Sequence, residues 1–183
     1  MNHARRSNAL PAKGRHAGEV AAAAGRIVSI VLLALAASPA WSLTELVYDA
    51  EPNNAPHQAV ALTPPVEKDI VRILGSLDGQ DQDAYLLVIP DEHAGRRFDL
   101  ALTGRAGALT KLDVFEFTEL VDGRGRIPQT LTQRPANVFQ LATQQGTRPA
   151  LAEGLLLSPG TYVIGVSHSG GQGHYEVELS QND

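Results

Sequence analysis

The chain has 183 residues, a formal charge of −5, no cysteine and few aromatics, 5% in all. Such a length allows one domain or at most two. The missing cysteines exclude a disulfide framework, a thiolate metal site and a cysteine nucleophile.

Along the chain, the first 26 residues hold Arg5, Arg6, Lys13, Arg15 and Arg26 against the single acid Glu19, and an apolar run follows from Ile27 to Ala37. A basic flank before a short apolar stretch is the pattern of an export signal. Small residues around Ser38-Pro39-Ala40-Trp41-Ser42 put cleavage after Ser42, with Ala40 as the alternative. The apolar run falls short of the roughly 18 residues that span a bilayer. Arg5-Arg6 lies too far from that run for a twin-arginine signal. The expected organisation is therefore a signal peptide over residues 1–42 and a periplasmic or extracellular domain over residues 43–183.

Removal of the leader changes the charge. Residues 43–183 hold ten Lys and Arg against 19 Asp and Glu, a net −9. A surface of this sign repels phosphate backbones and anionic lipid heads, so neither nucleic acid nor, after cleavage, a membrane is an expected partner. About 140 residues bury roughly two-thirds of their unfolded surface in a single core, which dispenses with disulfides.

The mature region opens on an acidic head, with Glu45, Asp49 and Glu51 between Arg26 and Lys68. Short β-prone runs follow at Ile70–Leu77, Tyr85–Ile89, Phe98–Thr103 and Leu112–Phe117, and later at Leu155–Leu157, Tyr162–Val166 and Tyr175–Leu179. Phe98, Leu100 and Leu102 share one side of their run, and Tyr175, Val177 and Leu179 one side of theirs. Asp99, His174, Glu176 and Glu178 face away. Turn signals separate the runs, among them Asp78-Gly79, Pro90-Asp91, Asp122-Gly123 and Pro159-Gly160. Residues 119–153 are weakly patterned and read as one long excursion with a strand at Asn137–Leu141. The spacing of Thr161–His168 and Gly173–Ser180 predicts a hairpin around Ser169-Gly170-Gly171-Gln172. No window after residue 43 has a capped helical period, so the pattern points to an antiparallel sandwich or barrel.

The acids carry the chemistry. Between Arg72 and Arg96 stand Asp78, Asp81, Asp83, Asp91 and Glu92 with no Lys or Arg among them. Crowded carboxylates must be hydrated, raised in pKa or shared with a cation. A solvated turn satisfies that requirement, and so does a hard ion such as Ca²⁺, which takes about six to eight oxygens.

Four segments occur in a telling order: Asp49-Ala50-Glu51-Pro52-Asn53-Asn54, then Gly75-Ser76-Leu77-Asp78-Gly79-Gln80-Asp81-Gln82-Asp83-Ala84-Tyr85, then Leu157-Ser158-Pro159-Gly160-Thr161-Tyr162-Val163-Ile164-Gly165-Val166, and last Tyr175-Glu176-Val177. Together they resemble the bacterial pre-peptidase C-terminal domain, which is similar to the collagen-binding domain of secreted bacterial collagenases. The resemblance spans about residues 45–180. It implies an all-β, jelly-roll-like antiparallel sandwich in which the head folds back on the Asp-rich turn to hold Ca²⁺. The matching positions are Asp49, Glu51, Asn53 and Asn54 from the head and Ser76, Asp81 and Asp83 from the turn. Asp78 does not match. Asp49 stands where a Glu is commoner, and Asn54 where an acid sometimes stands, which lowers the charge of the site.

Enzymatic readings are poorer. Gly165-Val166-Ser167-His168-Ser169 lacks the last glycine and the helix of a nucleophile elbow. His57, His93, His168 and His174 have no metalloprotease spacing. Asp81 and Asp83 are too close in sequence to flank a glycosidic bond. Asp122-Gly123-Arg124-Gly125-Arg126 reads as a turn. Most aromatics have core spacing, and only Tyr48 and Phe139 read as free to line a ligand surface. The expected protein is a secreted or periplasmic, non-catalytic module, stabilised by Ca²⁺, that binds a protein, peptide or polysaccharide or assists a partner peptidase. In the family the module accompanies a catalytic domain, whereas this chain stops at Asp183 just past the last run. The expectation is a stand-alone binder, a subunit or part of a longer gene. The alternative is a structural envelope protein that packs into a larger assembly.

Overall fold

The computed structural model describes residues 43–65, 69–105, 108–143 and 148–182. The expected signal peptide and its cleavage site lie outside these. Ten strands account for the architecture: β1 (Thr44–Tyr48), β2 (Val60–Leu62), β3 (Ile70–Leu77), β4 (Gln82–Ile89), β5 (Arg97–Gly104), β6 (Leu109–Glu116), β7 (Ala136–Ala142), β8 (Ala150–Leu156), β9 (Gly160–Gly170) and β10 (Gly173–Asn182). Among the described residues, helical structure is limited to short 3₁₀ turns at Pro56–Gln58, Asp91–His93 and Thr118–Leu120.

The strands form two five-stranded sheets, ordered β1-β3-β10-β5-β8 and β2-β4-β9-β6-β7. Antiparallel partners nest: β3 with β10, β4 with β9, β5 with β8 and β6 with β7. The chain from β3 to β10 is thus one long folded ribbon whose tip is the β6–β7 connection. Rolling that ribbon pairs β10 with β5 and β9 with β6. This is the winding of a jelly roll, an all-β sandwich as expected.

The core between the sheets follows from strand alternation. Val71, Ile73, Leu77, Tyr85, Leu87, Phe98, Leu100, Leu102, Leu112, Val114, Ile164, Val166, Tyr175, Val177 and Leu179 all point inward and are buried. Each such side chain contributes roughly 1.5–3 kcal/mol when fully buried. Asp99, Glu176 and Glu178 face outward, as their alternation predicts, and Arg72 bridges both glutamates, to Glu176 at 3.0 Å and Glu178 at 2.7 Å.

Several expectations need correction. Thr161–His168 and Gly173–Ser180 do not form a hairpin, because β9 and β10 belong to opposite sheets and their connection crosses the sandwich. A tight glycine turn in the sequence is equally compatible with both courses. The excursion holds two strands, β7 and β8, rather than one, and β8 absorbs the run expected at Leu155–Leu157. Strands β1 and β2 were not expected. Phe139 packs against the core instead of lining a surface. The early part of the excursion lies on the outer face of the second sheet, where Ile127 and Phe117 pack with Ala84 and Val163 in a second apolar cluster. Asp122 anchors the turn there, accepting Arg124 N and Arg126 N at 2.8 and 2.9 Å.

Register places the acidic segments. Strand β1 runs parallel to β3 with Tyr48 beside Leu74, and β2 runs parallel to β4 with Val60 beside Tyr85. Residues 49–59 therefore cross from the first sheet to the second at the same end as the β3–β4 turn, residues 78–81. The head folds onto the Asp-rich turn because two short parallel strands leave it no other course.

Candidate functional site

Two backbone bonds hold the head in place. Asp49 N donates to Leu74 O at 3.0 Å, and Ala84 N donates to Asn53 O at 2.9 Å. Between those anchors the chain turns through a cis Glu51–Pro52 peptide. Asn53 is fully buried and organises the turn: its N–H donates to Glu51 Oε2 at 3.1 Å and its Nδ2 to Asp49 Oδ1 at 2.7 Å.

Asp83 meets this head from the other side. It lies in β4 rather than in the turn, two residues before Tyr85, so both side chains point into the sandwich. One carboxylate oxygen each from Asp49, Glu51 and Asp83 lie within 4.8 Å of one another. Among the described residues none of the three is ion-paired. Asn54 faces Asp81: with its amide nitrogen turned that way it donates to Asp81 Oδ1 at 2.5 Å and to the Gln82 carbonyl at 2.7 Å.

The seven sequence-derived positions therefore separate into three groups. Asp49, Glu51, Asn53 and Asp83 come together. Asn54 and Asp81 meet beside them, and Asp81 is close enough to Glu51 and Asp83 for its charge to act on both. Ser76 lies on β3, exposed, and lines the same groove as Asp49. Asp78 stays in the exposed turn, where its carbonyl accepts Asp81 N at 2.9 Å.

The sequence did not reveal what stands behind Asp83. Tyr175 Oη donates to Asp83 Oδ2 at 2.6 Å, and the Tyr85 and Tyr175 hydroxyls are 2.5 Å apart. All three residues are buried. Gly75 sits opposite Tyr175 in the β3–β10 register, and a side chain there would occupy the space of the phenol ring. A glycine facing a tyrosine across two strands was the only sequence signal for this arrangement, and register was needed to see it.

No Lys or Arg neutralises the cluster among the described residues. Burial, opposed by the Tyr175 hydrogen bond and reinforced by the charges of Asp49, Asp81 and Glu51, pushes the Asp83 carboxyl up to about 7. Burial and then Glu51 raise Asp81 as well. Asn53 Oδ1 and Asp83 Oδ1 are buried without hydrogen-bond partners. Buried polar oxygens left unpaired are costly and uncommon. The arrangement offers converging oxygen donors and no nitrogen or sulfur, the donor type that hard divalent ions take. Two histidines border it: His168 contacts the Gly79 carbonyl and its charge reaches Asp81, and His174 lines the groove beside Tyr48.

No family model matches the chain and no curated protein matches it. Among solved structures it is similar to the pre-peptidase C-terminal domain of a collagenase from Bacillus anthracis, with 21% identity over 71% of this chain and 100% of that one and a TM-score of 0.44. It is similar also to a Yersinia pseudotuberculosis-derived mitogen, with 12% identity over 63% of this chain and 87% of that one and a TM-score of 0.37. A third likeness is to a periplasmic inhibitor of g-type lysozyme from Salmonella Typhimurium, with 12% identity over 68% of this chain and 99% of that one and a TM-score of 0.34. The first is the domain type that the residue patterns resemble.

Proposed function

We propose that the chain is an exported, non-catalytic binding or accessory module whose head segment is fastened to the sandwich by one Ca²⁺. One observation carries the cation: Asp49, Glu51 and Asp83 each bring one carboxylate oxygen within 4.8 Å of the other two, and Asp83 Oδ1 and the neighbouring head residue's Asn53 Oδ1 are buried with no hydrogen-bond partner. A divalent ion takes these oxygens together and relieves the carboxylate repulsion that adds to burial in raising Asp83. Asp49, Glu51, Asn53 and Asp83 supply the inner oxygens, and Asp81 adds negative charge at the rim. The neutral Asn54 keeps the total charge low, which suits the weaker affinities of extracellular modules, about 10⁻⁴–10⁻³ M.

The export assignment rests on the basic and apolar pattern of residues 1–37. The non-catalytic reading draws support from the cluster itself. Its inner acids are held by neighbouring donors, Asp49 and Glu51 by Asn53 and Asp83 by Tyr175. The module's task is to hold a protein, peptide or polysaccharide, or to assist a partner peptidase.

Calorimetric titration of the purified chain with CaCl₂ tests the reading. One binding event is expected, and it disappears in the Asp81→Asn, Asp83→Asn double variant. Failure of the unaltered chain to bind calcium contradicts it. Retention on collagen, chitin or peptidoglycan resin separates a binding module from an envelope assembly component, which passes through.

A further inference from the structure

We propose that the groove beside Tyr48 binds a neutral oligosaccharide. This inference rests on the reading of the chain as a binding module and names the class of molecule it takes. The groove has a volume of about 480 Å³ and opens on the outer face of the first sheet, across β1, β3 and β10. That size falls among ligand sites, which run from about 300 to 1,000 Å³.

Its lining combines an apolar surface with polar side chains at the edges. Leu74 and Gly75 provide apolar floor, and Tyr48, 64% exposed, is the aromatic beside it. Asp49, Arg105 and His174 bring hydrogen-bonding groups to the same space. A sugar ring presents C–H bonds on its faces and hydroxyls at its edge. An aromatic platform flanked by planar polar side chains matches both.

Charge argues against an anionic occupant. Arg105 is ion-paired with Glu176 and so offers no unopposed positive charge to an anion, and the Asp49 carboxylate, which has no ion-pair partner among the described residues, repels one. The −9 domain around the groove repels polyanions. Backbone pairing argues against an extended peptide. Strands β3 and β10 are laddered on both sides, so no main-chain edge is free along the floor for strand addition. Recognition there falls to side chains, which suits a ligand that carries its hydroxyls on rings.

Asp49 belongs both to this groove and to the carboxylate cluster. The experiment therefore titrates the chain calorimetrically with chitohexaose and with cellohexaose, once in Ca²⁺ and once in EGTA. The result expected is binding of at least one hexasaccharide, weakened about tenfold or more in Tyr48→Ala, the size of loss typical of a central aromatic contact. Tyr48 is exposed, so that variant keeps the wild-type melting temperature. His57→Ala, in a separate groove lined by Pro56 and Ile127, binds as the wild type does. Absence of binding to either sugar in both buffers overturns the proposal, as does wild-type affinity in Tyr48→Ala. Tighter binding of a neutral proline-rich peptide or of heparin also overturns it. Retention on collagen resin without sugar binding removes this proposal and leaves the module reading intact. Sugar binding without a calcium effect on the melt supports the groove and removes the cation.

Discussion

Tyr175 and Asp83 meet from opposite sheets, the phenol of β10 donating to the carboxylate of β4 at 2.6 Å. This bond ties the acidic cluster to the centre of the sandwich. It occupies Asp83 Oδ2, while Oδ1 is buried without a hydrogen-bond partner. Replacing Tyr175 with Phe leaves a buried carboxylate short of a donor. A loss of about 1–3 kcal/mol in EGTA is expected, measured by urea unfolding. Calcium affinity falls in the same variant, because Asp83 is no longer oriented.

Gly75 guards that bond. Alanine at this position would overlap the end of the Tyr175 ring, which is itself buried and held by two hydroxyl contacts. Overpacking of this kind costs about 1–3 kcal/mol. Gly75→Ala should therefore lower the unfolding midpoint, whereas Gly123→Ala, with open space around it, should leave it nearly unchanged.

The pH response follows from Asp83, whose ordinary value of 3.8 is pushed up to about 7 in the fold. Without a cation the native state holds that proton more tightly than the unfolded chain does. Between about pH 4 and pH 7 its contribution to stability therefore falls as pH rises, by on the order of a few kcal/mol. Asp113 acts in the other direction. Burial opposes its charge, but hydrogen bonds from Gln140, Lys111 and Asn137 outweigh that and hold its carboxyl below the usual range. Its contribution is present above the unfolded value and is lost as pH drops through the folded one. Calcium competes with the Asp83 proton, so the stabilisation by calcium should grow from about pH 5 to pH 8. Melts in EGTA and in CaCl₂ across that range check both slopes, and Asp83→Asn should flatten the first.

The core and the outer cluster differ in kind. Leu102 is fully buried between the sheets, and Leu102→Ala should cost about 2–5 kcal/mol. Ile127 packs on the outer face with a loop and retains slight exposure, so Ile127→Ala should cost less and should loosen residues 117–135 and the strand residues under them. Hydrogen exchange checks this, with faster exchange confined to that segment and to its neighbours on β4 and β9.

Much of this was legible in the sequence. Period-two alternation placed Phe98, Leu100 and Leu102 and Tyr175, Val177 and Leu179 on buried faces, since one wet face leaves that mark on an antiparallel strand. Strands β1 and β2 were not legible. They are short edge pieces in parallel pairing, which leaves no local mark. The hairpin expected for β9 and β10 failed for a related reason: Ser169–Gln172 specifies a reversal of the chain but not the sheet to which it returns. The acids were found by composition and resemblance, and their meeting was decided by the parallel edges. Asp83 was read as a turn residue, although its separation of two from the buried Tyr85 marked it as inward-facing. Tyr175 and Gly75 became visible only through the β3–β10 register.

Thermal unfolding in excess EGTA and in millimolar Ca²⁺ tests the central claim most directly. At a dissociation constant of about 0.1 mM, millimolar Ca²⁺ adds about 1.5 kcal/mol, a rise of roughly 3–6 °C in Tm for a domain of this size. That rise should vanish in the Asp81→Asn, Asp83→Asn variant while its EGTA melt stays close to or above that of the wild type. Coincident curves for the wild type in the two buffers would contradict the account.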